Sequence, residues 1–122
     1  MPTMATLVVG GSYAAREAAI AASLQPGERS AVILEGLPDG KAASPLESTL
    51  AADDIRRIAP GCLCCAGNLT MRVTLNRVLR HPPQRLFIGL ADATHLAQIR
   101  AFLAAPAYQS LLTLTDDLQI AS

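Results

Sequence analysis

The sequence of 122 residues has one lysine, Lys41, among ten basic residues, and its ten acidic side chains balance that charge to a formal net of zero. Binding to nucleic acid or to an anionic membrane leaves a basic electrostatic footprint, and this composition has none. No basic segment precedes an apolar stretch near Met1, and the early apolar run Leu7-Val8-Val9 is too short for a signal peptide or a membrane span. A cytoplasmic, reducing location is the expectation. Cysteine is equally sparse: all three thiols lie between Cys62 and Cys65. That number and spacing exclude a disulfide framework of the secreted kind.

About half the residues are apolar, and the length suits one domain, residues 1–122, around one core. Thr6 to Val9 is a β-branched run ending at Gly10-Gly11, which reads as a buried parallel strand entering a tight turn. Ala14 to Leu24 is alanine-rich and stops at Gln25-Pro26-Gly27, a predicted helix. Ser30 to Glu35 repeats the buried-strand pattern and runs into Gly36-Leu37-Pro38-Asp39-Gly40. Ser44-Pro45-Leu46-Glu47 carries helix-start signals for a short helix to about Ala52.

Ile55 to Ala59 reads as a strand near an edge, ending at Pro60-Gly61 before the thiols. After Gly67-Asn68, the residues Met71, Leu75, Val78 and Leu79 fall at helical spacing up to His81-Pro82-Pro83. Arg85 to Ile88 reads as a strand. Thr94 can cap a helix presenting Leu96, Ile99 and Leu103, and Leu111 to Thr115 forms a fifth strand. The alternation predicts an α/β fold with a parallel sheet, whose ligands bind outside the carboxyl ends of the strands. The Gly10 turn, the cysteines and the Gly89 loop then share one edge.

The order of elements, Pro60-Gly61-Cys62-Leu63-Cys64-Cys65 before a helix, and Gly89-Leu90-Ala91-Asp92 together resemble the GTPase domain of CobW-like proteins, which are linked to metal handling. The resemblance extends over nearly the whole chain and implies a three-layer, parallel-sheet P-loop-NTPase-like domain, small and truncated, of about five strands. It also implies three motifs that this sequence departs from. Matching Gly-x-x-x-x-Gly-Lys-[Ser/Thr] from Gly11 puts Arg16 at the second glycine, Glu17 at the lysine and Ala18 at the magnesium-binding hydroxyl. Matching from Gly10 puts Ala15, Arg16 and Glu17 there. A carboxylate about 4 Å from a phosphate charge costs roughly 4 kcal/mol at an effective dielectric near 20.

The family's acidic and hydroxyl residues ahead of Gly-Leu-Ala-Asp are also missing, since Ile88 abuts Gly89. Its Asn-Lys-x-Asp guanine motif cannot exist around Lys41, and the chain stops before that motif's usual place. Tight GTP binding and P-loop hydrolysis are therefore not expected, and no catalytic residue is assigned. Gly10 and Gly11 remain as a weak anion site at a helix N-terminus.

Thiolates suit zinc or another divalent transition ion in a tetrahedral site. Cys62 and Cys64 can converge on one ion, with Cys65 as a further donor. His95, Asp92, Glu35 or a second copy of the chain could complete the set. Two other readings of the thiols stand beside ligation: small buried hydrophobes, and redox groups at a helix start. His81 is expected to cap the end of its helix, His95 can equally be an exposed first-turn histidine, and Arg16 and Glu17 read as solvated helix charges. The expected role is a metal-binding pseudo-GTPase, metallochaperone-like. The alternative is a regulatory scaffold that pairs with itself or with an intact CobW-like protein, and a residual GTP-binding protein is the third.

Overall fold

The structure, a computed structural model, describes residues 2–25, 27–35, 50, 54–58, 67–90, 96–106 and 108–120, the backbone alone for 67–70. In chain order the elements are β1 (Thr3–Val9), α1 (Tyr13–Ser23), β2 (Ser30–Glu35), β3 (Ile55–Ile58), α2 (Gly67–Val78), β4 (Arg85–Gly89), α3 (Leu96–Leu103), β5 (Leu112–Leu114) and β6 (Leu118–Gln119). The expected helix over 44–52 falls outside the described residues, apart from Leu50.

All pairings are parallel and the sheet runs β3-β2-β4-β1-β5, with β6 also on β1. The near-continuous apolar runs are explained by this layout, because β1, β2 and β4 are covered on both faces. On one face α1 sets Ile20 against Val8, Val32, Leu34 and Phe87. On the other, α2 and α3 bring Met71, Leu75, Val78, Ile99 and Leu103 onto Leu7, Val9, Ile33, Leu86 and Ile88. The result is three layers, α1 over the sheet over α2 and α3, and the α/β, P-loop-like class read from the sequence holds. The half-polar strand β3 is at the sheet edge, as its composition implied.

One element escaped the sequence. The segment from Leu112 to Ile120 runs along β1 twice over, pairing Leu114 with Ala5 and then Leu118 with Val8. Between those pairs β1 advances three residues and its neighbour four, so one extra residue bulges out around Thr115–Asp117. The bulge is held at both ends. The Thr115 and Thr6 hydroxyls are 2.6 Å apart, and Arg100 of α3 pairs with Asp117.

Truncating Leu75, which is fully buried on α2, should cost about 2–5 kcal/mol through lost burial and a residual cavity. Truncating Val73 on the same helix, 42% exposed, should cost under about 0.5 kcal/mol. Urea unfolding midpoints of Leu75→Ala and Val73→Ala check the difference, and equal midpoints would contradict this packing of α2.

Candidate functional site

The sheet's carboxyl edge gathers the ends of its four central and flanking strands. Register pairs Val8 with Gly89, Leu34 with Gly89, and Glu35 with Ile58. The Leu90 amide continues the ladder by donating to the Val8 carbonyl at 2.9 Å. Glu35, at the tip of β2, is 5% exposed and takes part in a polar interaction. Cys62, Cys64, Cys65, Asp92 and His95 lie outside the described residues. Among the described residues no group of three or more His, Cys, Asp or Glu side chains could hold a metal ion.

The turn after β1 is short. Three residues, Gly10, Gly11 and Ser12, separate Val9 from the first residue of α1. Gly10 and Gly11 have φ of 87° and 63°, the left-handed region in which a β-carbon is penalised. Ser12 caps α1, its hydroxyl accepting from the Ala15 amide at 3.1 Å. A second reason for glycine is steric. A β-carbon on Gly10 would sit 2.6 Å from the Ile120 carbonyl oxygen, and one on Gly11 would sit 2.8 Å from the Ile120 side chain. The Ile120 amide itself donates to the Val9 carbonyl at 2.8 Å, so the end of the C-terminal segment is seated on the turn.

Arg16 and Glu17 are corrections to the sequence reading: both are buried, at 6% and 5% exposure. Arg16 folds back on its own turn, and its Nη1 donates to the carbonyls of Gly10 at 3.1 Å and Gly11 at 2.8 Å. Glu17 reaches β3, where its Oε1 accepts from Arg57 Nη1 at 2.5 Å, and the same nitrogen donates to the Tyr13 hydroxyl at 2.7 Å. The physical cause is the alanine content of α1. Small side chains at 14, 15, 18, 19, 21 and 22 let the helix lie close to the sheet, so neighbouring long side chains are enclosed and must find partners. Arg57 on β3 was the available signal, a cation on a strand three places in the sheet from β1, which leads into the helix.

Burial pushes the Tyr13 hydroxyl above the usual tyrosine value of 10.0, against the opposing effect of Arg57. Burial does the same for Tyr108, whose hydroxyl donates to Asn76 at 3.0 Å. His81 ends α2 through its backbone: its amide donates to the Val78 carbonyl at 3.3 Å, and its own carbonyl accepts from Arg29.

Fold and turn together define a small P-loop-like α/β domain whose first turn is closed by its own arginine. Over 79 residues, 62% of this chain and 24% of the relative, the sequence is 37% identical to the zinc chaperone YeiR of Escherichia coli (strain K12). That relative is a CobW-family member, and the chain is CobW-like over the matched part. The chain thus spans about a quarter of the length of the curated relative it matches. No family model and no solved structure matches. No described helix is long and apolar enough to cross a membrane.

Gly10→Ala should lower stability by on the order of 2–4 kcal/mol, combining the cost of a positive φ with the clash at Ile120. In a chain ending at Asp117 the clash is gone and the cost should fall to about 1–2 kcal/mol. Unfolding curves of the four proteins test this, and an unchanged cost would mean that Ile120 does not press on the turn.

The tyrosines give a pH signature. A folded value raised above the unfolded one means that the native state keeps its proton where the unfolded chain has begun to lose it. Their contribution is full below about pH 10 and is lost as pH rises through the raised folded values. Tyr13→Phe should flatten the alkaline fall of the urea midpoint between about pH 9 and 11, leaving the part due to Tyr108. A slope equal to that of the parent would show that Tyr13 is not enclosed.

Proposed function

We propose that the chain binds a divalent transition ion, zinc foremost, through Cys62, Cys64 and Cys65, with a fourth donor from Glu35, Asp92 or His95, and passes it on without hydrolysing a nucleotide. The observation that carries this reading is the register at the carboxyl edge. Ile58, four residues ahead of Cys62, pairs directly with Glu35, and Gly89, three residues ahead of Asp92, pairs with Leu34. At no more than about 3.6 Å per residue, the two tethers reach about 14 and 11 Å. Neighbouring strands are about 4.8 Å apart, which supports a reading in which thiols and carboxylates from three strands meet at one ion. Thiolate donors with a carboxylate or imidazole make a set that zinc accepts. The likeness to a zinc chaperone supports the same ion.

Transfer by such a site is ligand exchange. A flexible thiolate set can release one sulfur to an incoming donor while the others keep hold, so no bond-breaking chemistry is required of the protein. The first turn supports a non-hydrolysing reading. A loop of three residues is short for wrapping a chain of phosphates, and its neighbouring cation, Arg16, is spent on the Gly10 and Gly11 carbonyls. Glu17 is engaged by Arg57, and the one lysine stands far along the sequence at position 41. The weak anion role of Gly10 and Gly11 would be limited to what α1's first amides offer.

Protein purified under reducing conditions should carry or take up one zinc per chain, and Cys62→Ser combined with Cys64→Ser should abolish it. Metal analysis, together with thiolate-to-cobalt absorption on cobalt loading, reads this directly. If neither protein takes up zinc, cobalt or nickel at micromolar concentration, the ligation reading is wrong and the scaffold reading, with a homodimer or an intact CobW-like partner, takes its place.

A further inference from the structure

The opposite edge of the sheet, at the amino ends of β2 and β3, holds a cleft of about 530 Å³ lined by Arg29, Ala31, Asp54, Arg56, Arg77, Val78 and His81. Three of these side chains are arginines drawn from three separate places: the approach to β2, the strand β3 and the last turn of α2. The acid in the lining, Asp54, is 3.5 Å from Arg29, and the Arg29 guanidinium also donates to the His81 carbonyl. Among the described residues Arg56 and Arg77 have no such neighbour. The Nε of Arg56 is buried without a hydrogen-bond partner, and Arg77 projects beside it from α2, where a second recess of about 330 Å³ is shared by Arg56, Arg57, Thr74 and Arg77.

A buried guanidinium N–H without a partner is costly, because it has lost water and gained nothing. An anion entering the cleft supplies the counter-charge for the guanidinium groups of Arg56 and Arg77. Guanidinium groups present a rigid fork that matches phosphate or carboxylate oxygens, and the cleft volume falls in the range of small-molecule sites. The zero net charge of the chain does not oppose this. It removes long-range attraction for an extended polyanion, whereas a cleft concentrates a few cations at short range.

We propose that this cleft is a binding site for a small multivalent anion bearing phosphate or carboxylate groups, held by Arg56 and Arg77 with Arg29 at the rim. It lies at the end of the sheet opposite Glu35 and Ile58 and does not depend on metal ligation.

The test is calorimetric titration of the full chain with pyrophosphate and, separately, with citrate, at low salt. Saturable binding of either is expected, and Arg56→Gln with Arg77→Gln should weaken it at least about tenfold, the loss of two charge-assisted contacts. Which of the two anions binds more tightly distinguishes phosphate from carboxylate chemistry. Cys62→Ser with Cys64→Ser should leave the affinity unchanged, which separates this site from the metal reading. Arg77→Gln alone, on an exposed position of α2, should show a partial loss even if the double variant folds poorly. No binding of either anion at about 5 mM, or equal affinity in parent and arginine variants, overturns the proposal.

Discussion

The end of β1 is the point on which the rest of the structure turns. β1 has neighbours on both sides, β4 on one and the bulged β5–β6 segment on the other. It must leave the sheet in three residues, start α1 on one face and accept Ile120 against its glycines. A turn this tight leaves carbonyls facing inward, and buried carbonyls need donors. Arg16 supplies two bonds at once, to Gly10 and Gly11. The first helix, the last strand and the glycine turn are thereby one mechanical unit, although their residues lie at opposite ends of the sequence.

The two ends of the sheet are chemically unlike. The carboxyl edge carries the buried carboxyl group of Glu35, beside the end of β3. The amino edge carries Arg29, Arg56 and Arg77 around one cleft. Equal numbers of opposite charges in the sequence conceal this separation, since composition sums what the fold keeps apart. β3 contributes to both ends and both faces. Arg56 faces α2 and the cleft, while Arg57, one residue on, faces α1 and holds Glu17. A four-residue edge strand with two adjacent arginines looks like a weak strand in sequence, yet the period of two sends the two cations to different tasks.

What the sequence disclosed was whatever depends on local pattern. The apolar runs of β1, β2 and β4, the helical spacing of Met71, Leu75 and Val78, and the shared face of Ile99 and Leu103 are written in consecutive residues and met their expected partners. What it hid depends on contacts distant in sequence. β6 is two residues long, carries no run to recognise, and exists because β1 offers it hydrogen-bond partners at Val8 and Val9. Arg16 and Glu17 look like ordinary surface charges on a helix, and their enclosure follows from the helix's approach to the sheet, which alanine permits but does not announce. The carboxyl edge was legible as a location, because Glu35 ends a strand and pairs with the strand that leads to Cys62. The arginine cleft was not, because its lining residues are separated by up to 52 positions.

The first turn differs from a phosphate-binding turn in what satisfies its polar groups. In a phosphate-binding turn the backbone amides are oriented toward an anion, and the bound ligand completes the hydrogen bonding and charge balance of the loop. Such a loop is left incomplete when empty. Here the inward carbonyls are satisfied by Arg16, one helix-start amide by Ser12, and one side of the glycines is covered by Ile120. The negative charge that a phosphate would have brought has a counterpart in Glu17, itself neutralised by Arg57. Arg16 and Glu17 thus find their partners inside the chain, on the turn's carbonyls and on β3. The turn is therefore held by partners from α1 and from the C-terminal segment, and contacts within the chain fix its geometry.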